Sequence, residues 1–170
     1  MNKLKYIILL IIIFSNIKCT VKYSFTGASI APEIKTVSVQ YFPINTALAP
    51  QTLGQDITDA LKDKFMNQTR LIVLNKNGDV NFEGEIVSFD IKPTAITAEE
   101  QAAQNRLTIS VKVKFTNSIE PEKDFEKTFS RYDDFASNRN LDDVINDKEF
   151  MKGIINQIIQ DIFNEAFVNW

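Results

Sequence analysis

Hydrophobic and polar positions change period several times along this chain, and each change marks an element. Thr36-Val-Ser-Val-Gln-Tyr-Phe42 alternates and is closed by Pro43, which predicts a strand. From Thr52 the spacing lengthens: Leu53, Ile57, Ala60, Leu61 and Phe65 share one helical face, with Asp56, Asp59, Lys62 and Asp63 turned away. Thr52 and Gln55 have the spacing of a capping box at the start of that helix. Arg70-Leu-Ile-Val-Leu74 reads as a buried strand, and strand–helix–strand order predicts a parallel pair joined by a right-handed crossover. Asn77-Gly78-Asp79 carries a hairpin-turn signal.

Beyond that turn Val80, Phe82, Gly84 and Ile86 alternate, then Val87, Phe89 and Ile91 alternate in the opposite phase, which places a β-bulge near Val87. Pro93 to Gln104 is a long polar and Ala-rich connection. Leu107, Ile109, Val111, Val113 and Phe115 then point one way, and Thr108, Ser110, Lys112 and Lys114 the other, as in a sheet covered on one side. Asp124 to Tyr132 reads as a last strand, 133–140 as a polar loop, and about Asp142 to Val168 as a closing helix. Its stripe runs through Met151, Ile154, Ile155, Ile158, Ile159, Ile162, Phe163, Ala166 and Phe167. The order β-α-β-β-β-β-α predicts an α+β two-layer sandwich: a mixed sheet of about five strands with two helices on one face.

The N-terminus has a different pattern. Lys3 and Lys5 precede the short apolar run Tyr6–Phe14, a signal-peptide arrangement too short to span a bilayer, which takes about 20 residues. Cys19, the only cysteine, stands at the end of it. We read 1–18 as a lipoprotein signal peptide, 19–33 as a lipid-anchored lead-in and 34–170 as one domain. Acyl chains on Cys19 would hold the protein on a membrane, each buried CH₂ contributing about 0.8 kcal/mol. Lys18 departs from the small residue usual before such a cysteine, so ordinary secretion with a free Cys19 thiol stays open as the alternative. Tyr23 and Phe25 in the lead-in read as packing residues ahead of membrane-interface aromatics.

Charge and composition then narrow the function. Loss of residues 1–18 removes three lysines and no acid, so 19 basic and 22 acidic residues become 16 and 22, a net charge of −6. Such a field argues against nucleic acid as a partner. With no histidine and its one cysteine at the N-terminus, the chain lacks the usual ligands of zinc and haem and the bases of Ser–His and Cys–His nucleophiles. We expect no enzyme, no cofactor and no metal. Asp133-Asp134 and Asp142-Asp143 lack calcium-loop spacing and read as a solvated turn and an acidic first helical turn. Glu83 and Glu85 read as the wet face opposite Lys112 and Lys114 rather than as paired catalytic carboxylates. Arg106, Lys112, Lys114 and Arg131, on or near the exposed sheet face, form a candidate site for an anionic ligand, phosphorylated lipid included, beside the plainer reading of a solvated strand. The loops 93–104 and 133–140 are further candidates, because long unstructured connections are often functional.

Several stretches carry a family resemblance. They are Tyr23-Ser-Phe-Thr-Gly-Ala-Ser-Ile30, Thr36-Val-Ser-Val-Gln-Tyr-Phe42, Leu61-Lys-Asp-Lys-Phe65 with Gln68-Thr-Arg70, Phe82-Glu-Gly-Glu-Ile86, Asn105-Arg-Leu-Thr108, Phe129-Ser-Arg-Tyr132, Asp161-Ile-Phe-Asn-Glu-Ala166 and Asn169-Trp170. Together they resemble a short, divergent form of the LptE family of lipopolysaccharide-assembly lipoproteins. The resemblance implies an outer-membrane lipoprotein facing the periplasm, partner and plug of an LptD-type β-barrel, binding lipopolysaccharide on its way to the cell surface. It implies the same fold, with two helices on one side of a mixed sheet. It transfers no ligand-contacting residue. Thr20, where an Asp would retain a lipoprotein at the inner membrane, fits outer-membrane sorting. The alternative function is a periplasmic scaffold or secretion-associated lipoprotein that binds other envelope proteins.

Overall fold

A computed structural model describes residues 30–94 and 103–168. Cys19, Tyr23, Phe25, Trp170 and most of the 93–104 connection lie outside the described residues. Five strands form one mixed sheet: β1 (Thr36–Val39), β2 (Ile72–Leu74), β3 (Val80–Pro93), β4 (Gln104–Asn117) and β5 (Phe125–Ala136), in the spatial order β2-β1-β3-β4-β5. Helix α1 (Leu53–Gln68), the short α2 (Leu141–Ile145) and α3 (Lys148–Phe167) are the α-helices among the described residues, with a 3-10 turn at Pro121–Lys123 between β4 and β5. This is the expected α+β sandwich, its two long helices packed on one face of the sheet.

The apolar stripes meet as the periodicity requires. Val37, Val39, Phe82, Ile86, Leu107, Ile109, Val111, Val113 and Phe115 project from the sheet, and Leu53, Ile57, Leu61, Phe65, Ile158, Ile162 and Phe163 from the helices, all buried. At one end Phe65, Phe82, Phe115 and Phe167 form a ring cluster with centroids 4.9–6.3 Å apart, joining α1, β3, β4 and α3. The phase flip has its predicted cause: the β3–β4 register shifts between Ile86 and Ser88, so that Phe89 stays on the core face.

Five local expectations are corrected. Asn77-Gly78-Asp79 does not close a hairpin, because β1 lies between β2 and β3 and is parallel to both. The chain instead crosses β1 there. Asp79 accepts hydrogen bonds from the backbone N–H groups of Lys35 and Thr36, both at 2.9 Å, and its own N–H donates to Thr36 Oγ1. A Cβ on Gly78 would sit 2.6 Å from Ser38 N, so only glycine fits against the β1 backbone, and Asn77 takes a positive φ of 57° to make the turn. Thr52 does not cap α1: it is already in the helical region, and Gln55 bonds Asp59 instead. Strand β1 ends at Val39 rather than Phe42: the Phe42 N–H donates to the buried Thr58 hydroxyl of α1, and bonding to β3 resumes only at Pro43 and Asn45, which pair with Ile86. The closing helix is broken at Asn146–Asp147, where the Asp147 carboxylate accepts from Phe150 N–H and starts α3 afresh. β5 runs to Ala136, so residues 133–136 are strand rather than loop.

Candidate functional site

With the helices on one side, the other face of the sheet is left open and polar. Strand parity decides what it presents. Residues directly paired across an antiparallel ladder share a face, and the register aligns Glu83 with Lys114, Glu85 with Lys112, Lys114 with Glu126, Arg106 with Asp134 and Ser110 with Ser130. The open face is therefore a lattice of alternating charge with hydroxyls between. Lys112 Nζ lies 2.5 Å from Glu126 Oε1, and the bond holds the Glu126 carboxyl below its usual range while raising the lysine. Glu83 accepts from Gln40 and Asn81, and Glu85 from Asn45. Lys114 is exposed and makes no ion pair among the described residues, although Glu83 and Glu126 flank it. The pairing of Glu83 and Glu85 with the two lysines across β3 and β4 is the wet-face arrangement expected from sequence.

Further up the same face, Arg106 makes a two-pronged pair with Asp134, Nε–Oδ1 2.8 Å and Nη2–Oδ2 2.9 Å. Its guanidinium lies 3.7 Å from the ring centroid of the exposed Tyr132. The pair raises the arginine and holds the Asp134 carboxyl low. Sequence reasoning missed Tyr132, which carried no signal beyond its place opposite Thr108.

Of the four basic candidates, the structure gathers Arg106, Lys112 and Lys114 on the open face and removes Arg131. Arg131 pairs across β4 with the buried Ile109, so it points to the helix side, where it bonds Asp161 of α3. Asp133 and Asp134 are adjacent strand residues on opposite faces and do not converge on a cation. Asp142 and Asp143 occupy the first turn of α2, as expected. Among the described residues no group of acidic side chains has the geometry of a metal site.

A second surface lies between the helices. A groove of about 950 Å³ runs along their outer sides, with Asp56, Asp59 and Asp63 of α1 on one wall and Lys148 and Lys152 of α3 on the other. Lys64 and Gln160 bridge it at 2.5 Å, and burial pushes the lysine's pKa down. It draws residues from distant parts of the chain, which is why no local pattern announced it.

The fold defines the chain as a two-layer α+β domain, a five-stranded mixed sheet with two long helices on one face and a polar face opposite. Within that class the comparisons are specific. The family model of LptE, described as lipopolysaccharide-assembly, matches residues 34–166, and the chain belongs to that family. Membership gives it a non-enzymatic role in lipopolysaccharide assembly, among the lipoproteins of the bacterial envelope. No curated protein matches the chain. Similar solved structures include a hypothetical protein from Chlamydia trachomatis, at 11% identity and TM-score 0.51 over 78% of this chain and 98% of that one. A homologue of a neuraminyllactose-binding hemagglutinin from Helicobacter pylori has 11% identity and TM-score 0.50 over 85% and 89% of the two chains. At such identities these two likenesses speak for the fold alone.

Proposed function

We propose that this chain is an outer-membrane lipoprotein, tethered by acyl chains on Cys19, that partners and plugs an LptD-type β-barrel and contacts lipopolysaccharide in transit. The family match over residues 34–166 carries the reading. The open sheet face supports it, being a broad polar surface that no helix among the described residues covers. For an anionic lipid the contact residues would be Lys114, which makes no ion pair among the described residues, and Lys112 and Arg106, each of which would exchange a carboxylate for a phosphate. Arg131 has no part in that contact.

Depletion in the native cell is the test. The reading expects lipopolysaccharide to accumulate in the periplasm and the barrel to fail to assemble. Normal surface lipopolysaccharide with other envelope complexes lost would make the chain a scaffold instead. The mass of the mature N-terminal peptide tests the anchor separately: acylated Cys19 is expected, and a free thiol would leave the barrel to hold the protein alone.

A further inference from the structure

Among the described residues nothing pairs with the outer edge of β5, and most of the charges that ordinarily guard such an edge are bound elsewhere. An exposed edge strand is a template for another chain, and natural proteins blunt it with charged side chains, bulges or cover. Here Glu126 is bound to Lys112, Lys127 to Glu165 at 2.9 Å, Arg131 to Asp161, and Asp134 to Arg106. All four side chains reach back over the sheet or up to α3. Between Lys127 and Arg131 the edge carries only Thr128, Phe129 and Ser130, with Phe129 buried, and the exposed Tyr132 and Asp133 follow before Asp134.

The direction of the main-chain groups follows from the register. Ile86 uses its N–H and C=O on Pro43 and Asn45, on the β1 side. Its partner Val111 therefore points to β5 and exchanges bonds with Phe129. The neighbours alternate, so the N–H and C=O groups of Glu126, Thr128, Ser130 and Tyr132 face outward. All four residues are exposed, and among the described residues no backbone bond from outside the sheet reaches them. The 3.0 Å contact between the Ser110 and Ser130 hydroxyls fits the close, non-bonded pair this alternation requires. Above them the edge closes on itself, with Asp134 N–H donating to Asp133 and Arg139 N–H to the Ala136 carbonyl.

We propose that the Glu126–Tyr132 edge of β5 receives an extended segment of the barrel partner as a sixth strand. The inference rests on the barrel reading above. Main-chain recognition of this kind takes its affinity from the ladder bonds, and an extended polypeptide is the ligand that satisfies them. A second copy of this chain is the competing occupant: self-pairing centred on Phe129 sets Lys127 opposite the second copy's Arg131, both already bound to α3, and the concentration dependence below distinguishes the two. Asp133, which forms no ion pair among the described residues, would accept a Lys or Arg of the incoming strand and so fix its register.

The test uses the full lipidated chain, free and copurified with its barrel. Amide hydrogen exchange at Thr128 and Ser130 should be at least tenfold slower in the complex, with the Phe129 amide slow in both. Ser130→Pro removes a donor that β4 does not use, so the variant should fold, show the wild-type exchange pattern in α3, and retain the barrel at least tenfold less well. If wild type holds the barrel while Thr128 and Ser130 exchange as fast as in the free chain, the edge inference falls and the barrel reading stands. If S130P does not fold, that exchange comparison on wild type still decides. If wild type recovers no barrel, both fall. Protection that grows with the concentration of the isolated chain would assign the edge to a second copy and overturn the proposal.

Discussion

Arg131 grips Asp161 with both prongs of its guanidinium, Nε–Oδ2 at 2.5 Å and Nη2–Oδ1 at 2.8 Å, and so pins β5 to α3. One turn further along α3, Glu165 takes Lys127 through a single ion pair, Nζ–Oε1 at 2.9 Å. These two contacts decide which basic residues are available to a ligand. Charge reversal at Lys112 and Lys114 together should weaken binding of purified lipopolysaccharide at least fivefold in low salt. Arg131→Glu should leave that binding unchanged while lowering Tm by a few degrees. Titration of folded variants checks both, and unchanged binding in the double variant would remove the open face as the ligand site.

The aromatic cluster sets the stability of the domain. Phe82 is fully buried and touches the rings of Phe65, Phe115 and Phe167. Phe82→Ala should cost about 3–5 kcal/mol in urea unfolding, the usual range for deleting a core ring.

The crossing over β1 depends on the missing side chain at Gly78. Gly78→Ala should destabilise the fold by more than about 1 kcal/mol, because backbone atoms of Val37, Ser38 and Val80 stand within 2.8 Å of the new Cβ. Gly153→Ala, where a Cβ meets nothing within 4 Å, is the control and should be neutral or stabilising.

Asp79 ties stability to pH. Its carboxyl is held below the ordinary value, first by the N–H of Lys35 and then by the bonds to Thr36. A carboxylate depressed in the folded state stabilises above its unfolded pKa, and that contribution is lost as pH falls through the folded value. Unfolding free energy should therefore decline as pH drops below about 4. Asp79→Asn should be less stable than wild type at pH 7 and lose less on acidification, as read from denaturant midpoints across pH.

How much of this was legible in the sequence varies by element. The bulge near Val87 was readable because a period-two pattern cannot change phase without an extra residue. The face of Arg131 was also readable: it stands two residues from Phe129 in one strand, so it had to share the core side. The break at Asn146–Asp147 was hidden, because the apolar stripe continues across it through Val144 and Met151 and only the capping of Phe150 by Asp147 restarts the helix. Asp133-Asp134 read as a turn because its strand character comes from pairing with β4, with Arg106 supplying the counter-charge. The insertion of β1 between β2 and β3 is a tertiary choice that local periodicity does not encode. The groove between α1 and α3 was illegible for the same reason.

The central claim is partnership with an outer-membrane barrel, and one measurement tests it most directly. The native chain is captured from gently solubilised outer membranes, and what comes with it is identified and quantified by mass spectrometry. An LptD-type barrel in near-equimolar amount is the expected result. Recovery of the chain only as a free monomer would contradict the account.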